Sequence, residues 1–131
     1  MKNYVLDSYS IIAYFEKDAG YEKIIDLLDD PDDNAYLLMN LVNWGEVYYI
    51  TLREQGPDKA SLFEKNFEKL PIDLVYPDKQ LIRNASKYKA YNALSYADCI
   101  AAATAKMNDS VLMTGDREFE KLEKEININW L

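Results

Sequence analysis

Short apolar runs alternate with longer segments of helical periodicity along almost the whole of this sequence. The short runs predict strands at residues 4–6, 36–39, 72–75, 111–113 and 126–130. Apolar residues three or four positions apart predict helices over residues 8–17, 21–28, 41–52, 58–69, 78–88, 95–107 and 118–124. Proline, glycine and acidic residues predict turns between them, as at residues 31–34 and 55–57. Strands that alternate with helices favour an α/β fold, a three-layer α/β/α sandwich around a mostly parallel sheet of four to five strands.

Length and composition are those of one folded domain. The 131 residues predict a single domain spanning residues 1–131, and the 49% of hydrophobic residues suffice for a core. No apolar run approaches the roughly 20 residues that cross a bilayer, so no membrane association is expected. The single cysteine, Cys99, excludes an intramolecular disulfide and favours a reducing cytoplasm.

The sequence contains no histidine, which removes several kinds of catalytic site. A Ser-His-Asp triad and a Cys-His pair are both excluded, and a single cysteine cannot build a structural zinc site. The net charge of −8 argues against general nucleic-acid binding. Residues 51–100, however, hold eight Lys and Arg against seven Asp and Glu, so an anionic partner could be tolerated in the middle of the chain.

Four acidic residues fall where the predicted strands end. Asp7 directly follows the first strand, and Asp116 follows the strand at residues 111–113 after two small residues. Glu46 and Asp98 lie in otherwise apolar helical segments, where a lone carboxylate is costly unless it is paired, protonated or bound to a cation. Right-handed crossovers bring all strand-to-helix loops to one edge of a parallel sheet, which is where ligands bind in this fold class.

Each acid also has a purely structural interpretation. Asp7 could cap the first helix, and Ser95 with Asp98 resembles a capping box. Asp116 could favour a helix N-terminus through the macrodipole, and Glu46 could lie on an exposed face. The shared position at one edge of the sheet favours a common site over four separate structural roles.

Carboxylates without histidine suit hard divalent cations. Mg²⁺ and Mn²⁺ prefer oxygen ligands, and clustered acids repel one another until a cation binds. A cation held in this way lowers the pKa of bound water and stabilises charge on a phosphoryl group. The natural reaction of such a site is metal-dependent hydrolysis of a phosphodiester.

Four pieces of the sequence, in this order, resemble PIN-domain ribonucleases, and specifically the small toxins of VapBC-type toxin–antitoxin pairs. They are YVLDSYSIIAYF, NLVNWGEVYY, LSYADCIAAATA and VLMTGDREF. The resemblance implies a parallel-sheet α/β/α fold, Mg²⁺ or Mn²⁺ at the strand ends, and endonucleolytic cleavage of RNA, such as tRNA or another structured RNA. It also implies a homodimer and a cognate small antitoxin whose tail covers the acidic groove.

The resemblance also assigns individual residues. The family's acidic quartet and its two supporting hydroxyl residues correspond to Asp7, Glu46, Asp98 and Asp116, and to Ser8 and Thr114. It implies that Asp7 and Asp98 bind the metal directly, and that the other two acids act directly or through water. Tyr9 departs from the family pattern, in which a small polar residue is more usual at this position.

Three alternatives start from the same acids. A phosphoacceptor receiver domain would need adjacent acids after the first strand, where Asp7 is followed by Ser8. A D-x-D phosphatase would need a second acid in place of Tyr9. A catalytically silent PIN-like module that binds RNA or protein fits the same motifs, although retention of all four acids favours an enzyme.

Overall fold

The computed structural model of the chain describes residues 2–30 and 34–131, and residues 31–33 of the turn predicted at 31–34 lie outside this description. Its strands are β1 (Lys2–Leu6), β2 (Ala35–Asn40), β3 (Ile72–Val75), β4 (Val111–Thr114) and β5 (Ile128–Trp130). Its α-helices are α1 (Ser8–Glu16), α2 (Tyr21–Leu28), α3 (Leu41–Gln55), α4 (Pro57–Glu68), α5 (Lys79–Tyr91) and α6 (Tyr96–Met107). A 3₁₀ helix, Arg117–Leu122, joins β4 to β5.

The five strands form one parallel sheet in the order β3-β2-β1-β4-β5. The chain builds the sheet outward from β1 through β2 to β3, and then returns to place β4 on the other side of β1. Leu6 of β1 is in register with Met113 of β4, so both strands end at the same level. The order therefore reverses between β1 and β4, and in such sheets a crevice opens at this point beyond the carboxyl ends of the strands.

Side chains alternate between the two faces of the sheet, and helices cover both. Val5, Leu38 and Leu112 point to one face and pack in a core with α5, α6 and the 3₁₀ helix. Leu6 and Met113, each one residue further along, point to the opposite face and pack in a second core with α1 to α4. This arrangement confirms the predicted three-layer α/β/α sandwich with a parallel sheet.

Most predicted boundaries were wrong by one to three residues; α3, for example, ends at Gln55 rather than at residue 52, and α5 ends at Tyr91 rather than at residue 88. α4 starts at Pro57 with Gly56 at the N-cap, and Asp58 lies in its first turn rather than capping it, because proline fits the first helical position. The helix predicted at residues 118–124 is the 3₁₀ helix, in which the buried Phe119 and Leu122 have the three-residue spacing of that helix type. β5 begins at residue 128 rather than 126. No helix in the described ranges is long and apolar enough to span a membrane.

Candidate active site

Asp7 is a buried carboxylate at the carboxyl end of β1. Asp7 follows the strand directly and caps α1, and it is only 1% exposed. One carboxylate oxygen accepts the backbone N–H of Ser10 at 2.8 Å, and the other accepts the Thr114 hydroxyl at 2.5 Å. The Ser10 hydroxyl donates to the backbone carbonyl of Asp7 at 3.0 Å. Asp7 is therefore held in one orientation, facing the crevice between β1 and β4.

Thr114 connects Asp7 to Asp116. It is the last residue of β4 and is fully buried. Its hydroxyl donates to Asp7 and accepts the backbone N–H of Asp116 at 3.0 Å. Asp116 in turn caps the 3₁₀ helix by accepting the backbone N–H of Glu118 at 3.0 Å. The turn after β4 is thus tied to the end of β1 across the point where the strand order reverses.

Asp98 and Glu46 reach the same region from two helices. Asp98 is in the first turn of α6, where its backbone N–H donates to the Ser95 hydroxyl at 3.1 Å. Glu46 is on α3 and accepts a hydrogen bond from the Asn43 side-chain amide at 3.0 Å. The same amide donates to the backbone carbonyl of Ala97 at 3.1 Å, which joins α3 to α6 beside Asp98.

Electrostatic repulsion shows that the structure brings these acids together. Burial, with a smaller contribution from the nearby charge of Asp98, raises the pKa of Asp7 to about 7, although hydrogen bonds from Thr114 and Ser10 act in the opposite direction. Burial also raises the pKa of Asp98 to about 6, with further contributions from the charges of Asp116, Glu46 and Glu118. Asp98 therefore lies within electrostatic range of each of the other three predicted acids.

The four predicted acids have no basic ion-pair partner in the part of the chain that the structure describes. Of the ion pairs formed within residues 2–30 and 34–131, none includes one of the four predicted acids. The exposed Glu118, whose charge reaches Asp98, pairs with Lys121, and the other two pairs within these ranges join Arg53 with Glu54 and Arg117 with Glu120. An anionic cluster that includes the buried Asp7 and three partly buried acids is stabilised by protons or by a bound cation.

The structural and site interpretations of the acids turn out to be compatible. Asp7 and Asp116 are N-caps, and Ser95 caps the helix on which Asp98 lies. Capping requires the start of a helix, and in this sheet the helix starts meet at the strand ends. Ser8 is the first residue of α1 and is partly buried, but among the described contacts it is Ser10, three residues after Asp7, that bonds to it.

Three contributors to the site were missed from the sequence. Ser10 binds Asp7, Asn43 binds Glu46, and Glu118 adds to the negative charge around Asp98. The three-residue spacing of Ser10 from Asp7 is typical of a capping bond and could have indicated it. Asn43 precedes Glu46 by one helical turn, which places the two on one face of α3.

Tyr9 lies against the turn that carries Thr114 and Asp116. A Cβ atom added to Gly115 would be 2.3 Å from Cε1 of the Tyr9 ring, so the ring occupies the space that any other residue at position 115 would need. The Tyr9 side chain remains 44% exposed. Glycine at position 115 therefore leaves room for the Tyr9 ring.

Comparison with known proteins identifies the family. The PIN-domain family model matches residues 4–125, almost the full chain. This chain belongs to the PIN-domain family. A search of curated proteins finds no match for it.

Solved structures similar to this PIN domain include three toxin–antitoxin proteins. Promoter-bound VapBC2 from Rickettsia felis has a TM-score of 0.77 at 12% identity, with 97% of each chain covered. DNA-bound VapBC from Salmonella typhimurium has a TM-score of 0.78 at 18% identity, with 98% of each chain covered. VapC20 from Mycobacterium tuberculosis, a toxin that cleaves the sarcin–ricin loop, has a TM-score of 0.72 at 12% identity, with 89% of this chain and 92% of that chain covered. The shared fold extends over the full length of the domain.

The donor chemistry of this PIN domain fits a hard divalent cation, since every candidate ligand is a carboxylate oxygen and the cluster is anionic. Within the described part of the chain, however, no three acidic side chains already surround one point. Asp7, Glu46 and Asp116 are instead turned toward hydrogen-bond donors of their own. Binding a cation therefore requires some of these side chains to rotate toward one another, and the charge of the cation would offset the repulsion that opposes this movement.

Proposed function

We propose that this PIN domain is a Mg²⁺- or Mn²⁺-dependent endoribonuclease that acts in the cytoplasm as the toxin of a type II toxin–antitoxin pair. The observation that carries the proposal is the buried carboxylate of Asp7, which faces Asp98 and is tied through Thr114 to Asp116. A cluster of carboxylates around the buried Asp7 destabilises the fold, and such a cluster is what a cation-binding phosphodiesterase site requires. Family membership and the likeness to toxin structures support the same reaction.

The proposed roles follow from how each side chain is held. Asp7 and Asp98 bind the cation directly, because they are the two acids whose burial most disfavours an uncompensated charge. Glu46 and Asp116 complete the set directly or through water, and one of them orients the attacking water. A bound divalent cation would supply an activated water and stabilise charge on the phosphoryl group. Thr114 fixes the direction of Asp7 by its hydrogen bond.

The substrate class is RNA, and tRNA and other structured RNAs are the first to test. Purified protein should cleave RNA with Mg²⁺ or Mn²⁺ and should lose cleavage when EDTA is added. Asp98→Asn should reduce cleavage by at least about 10²-fold, since a variant amide can neither bind the cation as a charge nor repel its neighbours. Cleavage that persists in EDTA, or full activity of Asp98→Asn, would refute the assignment.

Asp109→Asn is the matched control for this variant. It makes the same chemical change just beyond the opposite end of α6, where the side chain is exposed. The backbone at Asp109 has φ of 49°, a conformation that asparagine also adopts readily, so the fold should be unaffected. Both variants should unfold as cooperatively as the wild type. RNA binding without cleavage in the wild-type protein would instead support a silent binding module.

The proposed partners are a cognate small antitoxin and a second copy of this chain. The solved VapBC structures from Rickettsia felis and Salmonella typhimurium are complexes bound to DNA, and another similar structure is a toxin–antitoxin complex from Klebsiella pneumoniae. A neighbouring reading frame that encodes a small DNA-binding protein would support the toxin assignment. Co-purification of its product with this chain, and its inhibition of cleavage, would test it. Sedimentation of the purified chain would test the homodimer.

A further inference from the structure

One buried amide, that of Asn43, contacts both helices that supply acids to the site. Asn43 is on α3 and is completely buried. Its Nδ2 donates to Oε1 of Glu46 at 3.0 Å, within the same helix, and to the carbonyl of Ala97 at 3.1 Å, on α6. Ala97 is the residue before Asp98. A single side chain therefore touches one acid of the site and the backbone beside another.

The neighbours of Asn43 determine which way its amide points. Glu46 and the Ala97 carbonyl both offer acceptors, so the amide must turn its NH₂ group toward them. Its oxygen is then left buried, with no hydrogen-bond partner among the residues that the structure describes. Such an orphaned buried acceptor destabilises the fold.

Fold stability alone gives little reason to keep an asparagine at this position. A carbonyl in the first turn of an α-helix already accepts the N–H four residues later, so the Ala97 carbonyl does not depend on Asn43. Replacing a buried polar group by an apolar group of similar shape is often neutral or stabilising when its partners have other options. The benefit of Asn43 must therefore lie with Glu46.

We propose that Asn43 is a positioning residue, which holds the Glu46 carboxylate toward α6 and Asp98. Without the hydrogen bond, the flexible Glu46 side chain would turn away, because its charge and that of Asp98 repel one another. Asn43 thus keeps two like-charged groups close enough to share one cation. The sharing of a cation rests on the proposed metal-dependent function, whereas the hydrogen bond from Asn43 to Glu46 does not depend on that function.

Asn43→Leu separates a positioning role from a structural one. Leucine has the same branching and the same number of side-chain heavy atoms as asparagine, and it removes both the donor and the orphaned acceptor. The urea midpoint of the metal-free protein should stay the same or rise, while Mn²⁺ affinity measured by calorimetry at pH 8 should fall by about 10–100-fold, as expected when a hydrogen-bond partner of a metal ligand is lost. A lower urea midpoint with unchanged Mn²⁺ affinity would overturn the proposal.

A double-mutant cycle with Glu46→Gln tests whether Asn43 acts through Glu46. In the Glu46→Gln background, Asn43→Leu should change Mn²⁺ affinity by less than about twofold, because residues of one network are not additive. Two independent, additive losses would show that Asn43 acts elsewhere and would overturn the inference.

A readout without metal distinguishes failure of this inference from failure of the proposed function. The carboxyl ¹³C signal of Glu46, identified by its absence in Glu46→Gln, should move in Asn43→Leu, while that of the exposed Glu64 on α4 should not. If wild-type protein binds no Mn²⁺ but the Glu46 signal moves, the metal-dependent function fails and the positioning of Glu46 stands. If the Glu46 signal does not move, the positioning role itself is refuted.

Discussion

Replacing Asp7 by asparagine should stabilise the metal-free protein at pH 8. Asp7 has a pKa of about 7 in the folded protein, against 3.8 for an ordinary aspartate, chiefly because it is buried. At ~1.4 kcal/mol per pKa unit, ionising Asp7 in the folded state costs about 4 kcal/mol more than in the unfolded chain. An asparagine has no charge to bury. Its oxygen can accept the Ser10 N–H, and its NH₂ can donate to the Thr114 hydroxyl.

The sign of the pH dependence follows from proton binding. Between pH 3.8 and about 7, Asp7 holds a proton in the folded protein but has lost it in the unfolded chain. In this pH range, folding is therefore accompanied by the uptake of a proton by Asp7. The stability of the wild type falls as the pH rises, because the proton that the folded state binds becomes scarcer. Asp7→Asn should be free of this loss, so its advantage should be close to zero at pH 4 and reach about 2–4 kcal/mol at pH 8.

Urea denaturation in EDTA at pH 4, 6 and 8 measures this difference. The thermal midpoint at pH 8 should rise on the order of 10 °C for a domain of this size. Asp109→Asn, an exposed aspartate, should show no comparable pH-dependent gain. Equal urea midpoints for wild type and Asp7→Asn at pH 8, or a gain that does not vary with pH, would refute the argument that burial of an uncompensated charge destabilises this fold.

Three further predictions concern the same corner of the molecule. Mg²⁺ or Mn²⁺ should raise the thermal midpoint of the wild type at pH 8, since a cation that binds only the folded state stabilises it. The same cations should have little effect at pH 5, where protons compete for Asp7. Scanning calorimetry with and without EDTA measures the midpoint at each pH. Gly115→Ala should cost about 1–3 kcal/mol by urea denaturation, because its Cβ would displace the Tyr9 ring, and Tyr9→Ala should restore much of the loss. Thr114→Val should raise the pKa of Asp7 further, because it removes a hydrogen bond that lowers this pKa, and a carboxyl ¹³C titration would measure the change. The same variant should destabilise the protein by about 1–3 kcal/mol, since the Asp116 N–H also loses its acceptor.

The periodicity of the sequence was enough to predict the fold class, and two elements, at residues 21–28 and 72–75, have the predicted bounds. The periodicity predicted element boundaries less well where two residues or two helix types fit the same local sequence. At the start of α4, both Pro57 and Asp58 suit a helix N-terminus, and only the backbone geometry shows that proline takes the first position. After β4, Phe119 and Leu122 are compatible with either helix type, and the short path to β5 selects the tighter one.

The site could be predicted in part because its acids follow strand ends, which are visible in the sequence. That Asp98 lies within electrostatic range of Asp116 and Glu46 depends on the packing of α6 against β4 and against α3, which no local pattern encodes. Asn43 was missed for the same reason. Its spacing to Glu46 is visible in the sequence, whereas its bond to the Ala97 carbonyl, 54 positions away, exists only in the folded chain.

Helix capping explains how a chain can hold carboxylates so close together. Asp7 and Asp116 each accept a backbone N–H at the start of a helix, and Asp98 lies in a first turn where the helix dipole favours negative charge. Each acid is thus stabilised locally by about 1 kcal/mol while the cluster as a whole is destabilised by burial and repulsion. The local term fixes the backbone of each acid whether or not its charge is neutralised. The destabilisation by burial and repulsion, by contrast, is relieved by whatever neutralises the cluster. Because capping positions the acids in either case, the fold can form the site before a cation binds.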